Sequence, residues 1–409
     1  MRLYRREKYL KKIRGFYHDS SLIKVVTGIR RCGKSCLLET IMEELGEQGV
    51  PEKSIIYLNL DKRGYRNVKT PDQLESVIDG LCQEKGMKYL FIDEIQNVEG
   101  FEEVLNAFRE EDEYSIFITG SNSYLLSGEL VTKLTGRYIE FEMFPLSFDE
   151  YLGMKQFLGL SVDPDKTAEF ELFIKDGGFP QTLKYEDASD KREYVNGIIA
   201  EIFEKDIRRR VKVRNRSTFN TVQTYIINNF GCTTSLTNIL NDLRRNGSDI
   251  TRETLNRYIQ VLVDAKILYK CERFDLKSRK SISGEQKYYL ADLGFYFATN
   301  TDNRINYGPV LENIVYIYAR SKGYAVSIGR IGKLECDFVL RSRMMQYSYI
   351  QVCMTILNSR ETEDREYRPL ESIPDNYPKY LVTRNDLIQQ RNGIIHVNIG
   401  PFMGNGSDF

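Results

Sequence analysis

Apolar residues recur along this chain in two rhythms. Short unbroken apolar runs, IKVVT (23–27), SIIYLNLD (54–61), YLFI (89–92), SIFITGSN (115–122) and YIEFEMFPL (138–146), predict buried strands. Apolar positions three and four apart, as in CLLETIMEEL after Ser35, predict helices between them, including a short one around 123–134. Five strands alternating with helices predict a parallel sheet covered on both faces, an α/β fold.

The later half changes rhythm twice. Segment 217–290 reads as a winged helix-turn-helix: a helix over about 217–229, a second with Leu236, Ile239, Leu240 and Leu243 on one face, and a third capped near Ser248 to Thr251. The third helix has an apolar face of Leu255, Tyr258, Ile259 and Leu262 and carries Arg252, Asn256, Arg257 and Gln260 outside. The runs ILYKCERF and QKYYLAD, joined by a basic loop over Lys277 to Gly284, predict the wing. From about 308 a helix beginning near Leu311-Glu312 is followed by strands near YAVSIG, ECDFVL and YSYIQVC.

Composition narrows these readings little. The 409 residues are too many for one typical domain, and Lys+Arg and Asp+Glu both count 58, so any nucleic-acid binding has to come from a local patch. Such a patch lies at 205–216, where Arg208, Arg209 and Arg210 lead into further basic residues. The seven cysteines include no C-x-x-C pair and only two histidines accompany them, which argues against a Cys/His metal cage and for reduced thiols in a cytoplasmic protein. No apolar run approaches membrane-spanning length, so no membrane partner is expected. The basic segment MRLYRREKYLKKIRGFY places Leu3, Leu10, Ile13 and Tyr17 near one helical face, which reads as a helix docked on the next domain rather than a leader or a membrane anchor.

The candidate chemistry begins where the first strand ends. Gly28-Ile29-Arg30-Arg31-Cys32-Gly33-Lys34-Ser35, with Cys36 opening a helix, is G-x-x-x-x-G-K-[ST] between a strand and a helix. Such a loop turns its N–H groups inward at a helix N-terminus, where the phosphates of ATP sit; Lys34 reaches the β- and γ-phosphates and Ser35 ligates Mg²⁺. The strand YLFI ends in Asp93-Glu94, so Asp93 is expected to hold Mg²⁺ through water and Glu94 to act on the attacking water. The tip Thr119-Gly120-Ser121-Asn122 offers a polar side chain, Ser121, to the γ-phosphate or the water, although a Thr-Gly-Ser tip is also ordinary turn chemistry.

With these motifs the chain resembles the AAA+ superfamily of ATPases. More narrowly, it resembles prokaryotic AAA+ proteins with GxRRxGKS, a hydrophobic-DE strand, a TGS tip, Leu134-Thr135-Gly136-Arg137-Tyr138 and a segment from Pro145 to Tyr151, followed by a C-terminal domain of unknown function. The resemblance implies strand order 5-1-4-3-2, a helical lid around 150–190 including Gly177-Gly178-Phe179-Pro180, homo-oligomers with ATP at subunit boundaries, and Arg137 as an arginine finger. The alternative for Arg137 is a structural pairing with a carboxylate such as Glu140 or Glu142.

The terminal segment resembles restriction-type nucleases, which hold metal with a helix acid, a strand Asp and an acid-x-Lys. Glu312, Asp337, Gln351 and Cys353 stand at those positions, so the pattern is degenerate at its last two. Glu335, two residues from Asp337 and so on the same strand face, could add a carboxylate, and Lys333 could stand in for the missing lysine. The resulting expectation is an AAA+ core (1–150), lid (151–200), basic linker and winged helix (201–300) and restriction-endonuclease-like α/β domain (301–409). Its expected function is ATP hydrolysis with Mg²⁺ coupled to conformational change on DNA. The alternatives are a nucleotide-controlled protein-binding switch, with the C-terminal domain docking a protein partner, and an ATP-gated nuclease.

Overall fold

The computed structural model describes residues 3–81, 85–120, 134–208, 213, 215–300 and 305–409. Their contacts divide into two units, Met1–Met143 and Phe144–Phe409. In the first, β1 (Ile23–Gly28), β2 (Ile55–Asn59), β3 (Lys88–Asp93), β4 (Tyr114–Thr119) and β5 (Tyr138–Met143) form one sheet in the order β2-β3-β4-β1-β5. Every pairing is parallel, and the order is the one the resemblance implies. The three central strands are buried at every position, whereas edge strand β2 alternates. Central strands of a parallel sheet are covered on both faces, which is why they read as unbroken apolar runs.

Around this sheet lie α1 (Glu7–Ile13), α2 (Lys34–Glu47), α3 (Pro71–Leu81) and α4 (Phe101–Glu110). The basic N-terminal helix is docked: Tyr9, Leu10 and Ile13 are buried, and Arg14 bridges Glu7 of α1 and Glu44 of α2 at 2.7–2.9 Å. The Tyr17 hydroxyl donates to the same Glu44 at 2.7 Å. Ser121, Asn122 and nearly all of the helix expected around 123–134 lie outside the described residues.

The second unit opens with α5 (Phe148–Phe157), α6 (Lys166–Asp176) and α7 (Ala188–Ile202). A capping box between Ser147 and Glu150 starts α5, and a buried Lys155–Glu169 ion pair of 2.7 Å ties it to α6. Helices α8 (Arg216–Asn228), α9 (Leu236–Arg245) and α10 (Arg252–Asp264) follow, the last capped by Thr251, and lead into the hairpin β6 (Leu268–Asp275) and β7 (Lys280–Leu290). The connecting turn is shorter than the sequence suggests. Pairing resumes at Lys280, and the register shift beside Glu272 and Arg273 accommodates Gly284 as part of a bulge rather than of the turn.

Helix α11 (Gly294–Thr299) and the long α12 (Tyr307–Lys322) precede β8 (Ala325–Ile331), β9 (Leu334–Arg341), β10 (Tyr347–Val352), β11 (Lys379–Thr383) and β12 (Ile395–Asn398). Helix α13 (Arg360–Glu371) lies between β10 and β11, and α14 (Ile399–Gly404) packs on α5 and α6. These strands and the hairpin make one mixed sheet, β12-β11-β10-β9-β8-β6-β7, because β6 pairs in parallel with β8 through Arg273, Phe274 and Asp275. Gly178 is fixed in this unit by Asp292, whose carboxyl accepts from the Gly178 and Gly294 N–H groups at 2.6 and 2.7 Å. A side chain at 178 would lie 2.4 Å from the Leu146 carbonyl, so glycine is required there. Burial pushes the Asp292 carboxyl up to about 7. Among the described residues no helix is long and apolar enough to cross a membrane.

One buried cation gives the first unit a testable pH dependence. Lys24 on β1 is fully buried; its ammonium donates to the Ser115 hydroxyl at 2.9 Å and to the Asp19 carbonyl, and sits 4.7 Å from the Phe117 ring. Burial lowers its pKa to about 7, with Asp19 partly opposing. The unfolded lysine, near 10.4, therefore binds more protons than the folded one above pH 7, and stability from this group rises with pH in that window. Lys24→Met removes this contribution. In urea unfolding, the stability of wild type relative to Lys24→Met should increase by about 1–2 kcal/mol between pH 6.5 and 8.5. A pH-independent difference would show that the ammonium is not depressed.

Candidate functional site

In a parallel sheet the carboxyl ends of the strands share one edge, and the register fixes what meets there. Asn59 pairs with Asp93 across β2 and β3, Val26 with Thr119 across β1 and β4, and Gly28 with Met143 across β1 and β5. The end of the first strand, its following loop and the Asp93-Glu94 pair thus lie on the same edge. Gly28 has φ 142°, and a Cβ there would stand 2.3 Å from the Met143 carbonyl oxygen, so the loop leaves the sheet through a place where no side chain fits.

Loop 29–33 ends at Gly33, the N-cap of α2. Lys34 is buried, and its ammonium donates back to the carbonyls of Gly28 and Ile29 at 2.9 and 3.3 Å. Ile29 and Cys32 are buried, Arg30 and Ser35 half-buried, and Arg31 and Cys36 exposed. The Cys32 thiol is held above its usual range by burial, so this loop cysteine is no nucleophile. The Cys32 carbonyl accepts from the Arg6 guanidinium at 3.1 Å, a contact from the N-terminal segment absent from the sequence reading.

Asp93 is almost fully buried at the end of β3. One carboxylate oxygen accepts from the Thr119 hydroxyl; the other accepts from Asn59 Nδ2 at 2.9 Å and the Tyr57 hydroxyl at 3.3 Å. All three donors are uncharged, so the carboxylate is positioned without a paired cation from this set. The Thr119 hydroxyl in turn accepts from the Glu94 N–H at 3.2 Å, linking both acids to the neighbouring strand. Glu94 has φ 60°, an uncommon left-handed conformation for a residue with a side chain, and its carboxylate accepts from Gln96. The Ser35 hydroxyl and the Asp93 carboxylate are both oxygen donors, the ligand type that hard cations take. The sequence named Asp93 and Glu94 but not Asn59 or Tyr57; the only signal was a polar residue at the tip of the adjacent strand.

Arg137 is exposed just before β5, where its guanidinium donates to Asn106 at 2.9 Å. Tyr138 pairs with Ile23 at the start of β1, so Arg137 lies at the opposite edge of the sheet from Gly28. Five residue steps separate these edges, about 17 Å at strand rise. Ser121 lies outside the described residues, as do Arg209 and Arg210. Arg208 is exposed and paired with Glu204 at 2.8 Å. On α10, Arg252, Asn256, Arg257 and Gln260 are all exposed on the face opposite buried Leu255, Tyr258, Ile259 and Leu262, with Gln260 bonded to Asp264 at 2.7 Å.

The structure also gathers the acids of the terminal sheet. Asp337 on β9 and Gln351 on β10 are buried neighbours; the Asp337 N–H donates to Gln351 Oε1 at 3.4 Å, and the Val352 N–H donates to Asp337 at 2.8 Å. Burial, and then the charge of Glu312, hold the Asp337 carboxyl well above the usual carboxylate range. Gln351 donates to Glu366 at 3.1 Å, and burial pushes the Cys353 thiol up to about 12. Glu312 accepts from Lys287 at 2.9 Å and from the Tyr289 hydroxyl at 3.0 Å. The lysine brought to these acids is thus Lys287 of β7, whereas Lys333 sits in the turn between β8 and β9.

Residues 20–152 match the model of an AAA domain, and residues 167–304 match a domain of unknown function, DUF8612. An uncharacterized protein of Haemophilus influenzae is 35% identical over 381 residues, covering 92% of each chain, and one of Methanocaldococcus jannaschii is 29% identical over 379 residues, covering 89% of this chain and 82% of its own. A solved Walker-type ATPase of Pyrococcus abyssi shares the fold with TM-score 0.51 at 18% identity, over 73% of this chain and 96% of its own. The chain belongs to the same protein family as the Haemophilus protein, and its fold is that of an AAA-type P-loop ATPase followed by a C-terminal domain of unknown function.

Proposed function

We propose that this protein binds and hydrolyses ATP with Mg²⁺ and couples the cycle to a conformational change on DNA. The observation that carries the first part is the meeting of the Lys34 loop with Asp93 and Glu94 on one strand edge. Lys34 exchanges its two loop carbonyls for phosphate oxygens, and the N-terminal amides of α2 add partial positive charge. Ser35 and Asp93 would hold the Mg²⁺, which would neutralise charge on the phosphates when bound. Glu94, turned out of the strand by its left-handed backbone, orients the attacking water. Because Arg137 lies at the far edge of its own sheet, its contribution goes to the nucleotide of a neighbouring copy.

The DNA part rests on α10. Three helices followed by a hairpin have the element order of a winged helix-turn-helix, which supports that reading, and the exposed Arg252, Asn256 and Gln260 have side chains suited to guanine and adenine edges. Arg208 and its basic neighbours supply phosphate contacts. A protein-binding switch is the second reading, because the same polar face suits a protein surface and Arg208 is already engaged by Glu204.

Lys34→Ala should abolish binding of a fluorescent ATP analogue, because ground-state phosphate charge is left unmatched. Glu94→Gln should bind it normally and lose phosphate release by roughly 100-fold or more. Turnover at the wild-type rate in Glu94→Gln would remove that residue from the chemistry.

Mixing inactive Arg137→Ala with inactive Glu94→Gln should restore part of the ATPase rate, since hybrid boundaries combine an intact Glu94 with an intact Arg137. A strictly monomeric protein with full activity would contradict action between subunits.

Binding to duplex DNA should weaken steeply with salt, and Arg252→Glu should reduce affinity and relax base preference at the position it reads. Affinity unaltered by this reversal, measured by anisotropy, would assign the helix to a protein partner.

A further inference from the structure

The metal centre implied by the nuclease resemblance does not fit the residues present. A restriction-type site needs carboxylates converging on a divalent ion with a coordination position open to phosphate and water. Here Glu312, the helix acid, faces an ammonium: Lys287 Nζ lies 2.9 Å from Glu312 Oε2 and 3.2 Å from Glu335 Oε1. The second oxygen of Glu335 meets Arg273 at 2.8 Å. Both carboxylates therefore meet cations of the β6–β7 hairpin, Arg273 being shared with Glu285 of β7. At the next position, the Gln351 amide spans the gap between the Asp337 backbone and Glu366. Among the described residues no group of three or more His, Cys, Asp or Glu side chains is placed to hold a metal ion.

We propose that the Lys287 ammonium has taken the place of the divalent ion of a nuclease-type centre and turned it into an ionic clamp between the hairpin and the terminal sheet. The main-chain seam at this junction is short, with three registered pairs from Arg273 to Asp275 of β6, and the clamp lies beside it. A lysine tethered by its own chain brings a single charge and no exchangeable coordination position, so it bridges Glu312 and Glu335 without polarising a phosphate or activating a water. Lys287 is nearly fully buried, which suits a fixed structural cation.

The test uses the full-length protein without nucleotide and measures Mn²⁺ binding by electron paramagnetic resonance. Wild type and Glu312→Gln should bind Mn²⁺ equally, because Glu312 is already occupied. Lys287→Ala should bind at least tenfold more tightly than wild type, a gain cancelled in Lys287→Ala/Glu312→Gln and absent in Lys287→Arg, which keeps the cation. Wild-type Mn²⁺ binding that falls in Glu312→Gln would overturn the proposal, as would a folded Lys287→Ala protein with no gain. If Lys287→Ala does not fold, the wild-type and Glu312→Gln pair still decides, together with DNA cleavage: Mn²⁺-dependent cutting by wild type that is lost in Asp337→Asn would show a working metal centre.

Discussion

The nucleotide chemistry depends on one constraint: parallel strands put their carboxyl ends on one edge, and the buried carboxylate of Asp93 is fixed there by side chains from the strands on either side. Thr119 of β4 and Asn59 and Tyr57 of β2 all donate to it. An unsatisfied carboxylate at this depth would cost several kcal/mol, so the donors and the acid are selected together. The Thr119 hydroxyl also accepts the Glu94 N–H, so the acid expected to bind the ion and the one expected to act on water are set by the same atom. Displacing β4 by one residue would disturb both.

The loop on the neighbouring strand is held just as locally. Gly28 has no room for a Cβ, Gly33 begins α2, and the Lys34 ammonium closes onto the loop carbonyls. Arg6 and the Arg14–Glu44 network reach this loop and its helix from the N-terminal segment. The segment that carries the first helix therefore supports the phosphate loop through Arg6 and Arg14, which flank the helix.

In the second unit, the hairpin after the three helices and the terminal strands share one seven-stranded sheet. Local sequence suggested separate modules because helix and strand rhythms change near 300. Backbone pairing between β6 and β8 and the side chains of Arg273 and Lys287 connect them at long range in sequence.

The sequence alone determined the strand–loop–helix of the phosphate loop, the Asp93-Glu94 strand end and the apolar faces of α9 and α10. Each is written within about a dozen residues, since strand burial, helical spacing and the glycine requirement are local properties. Tertiary structure alone decided which strands are neighbours of Asp93, that Arg137 stands at the far edge from its own loop, and that Lys287 rather than Lys333 meets Glu312. Those facts depend on register between segments that can lie more than a hundred residues apart, as Ile23 and Tyr138 do, and no local pattern records which side chains of two paired strands will face each other.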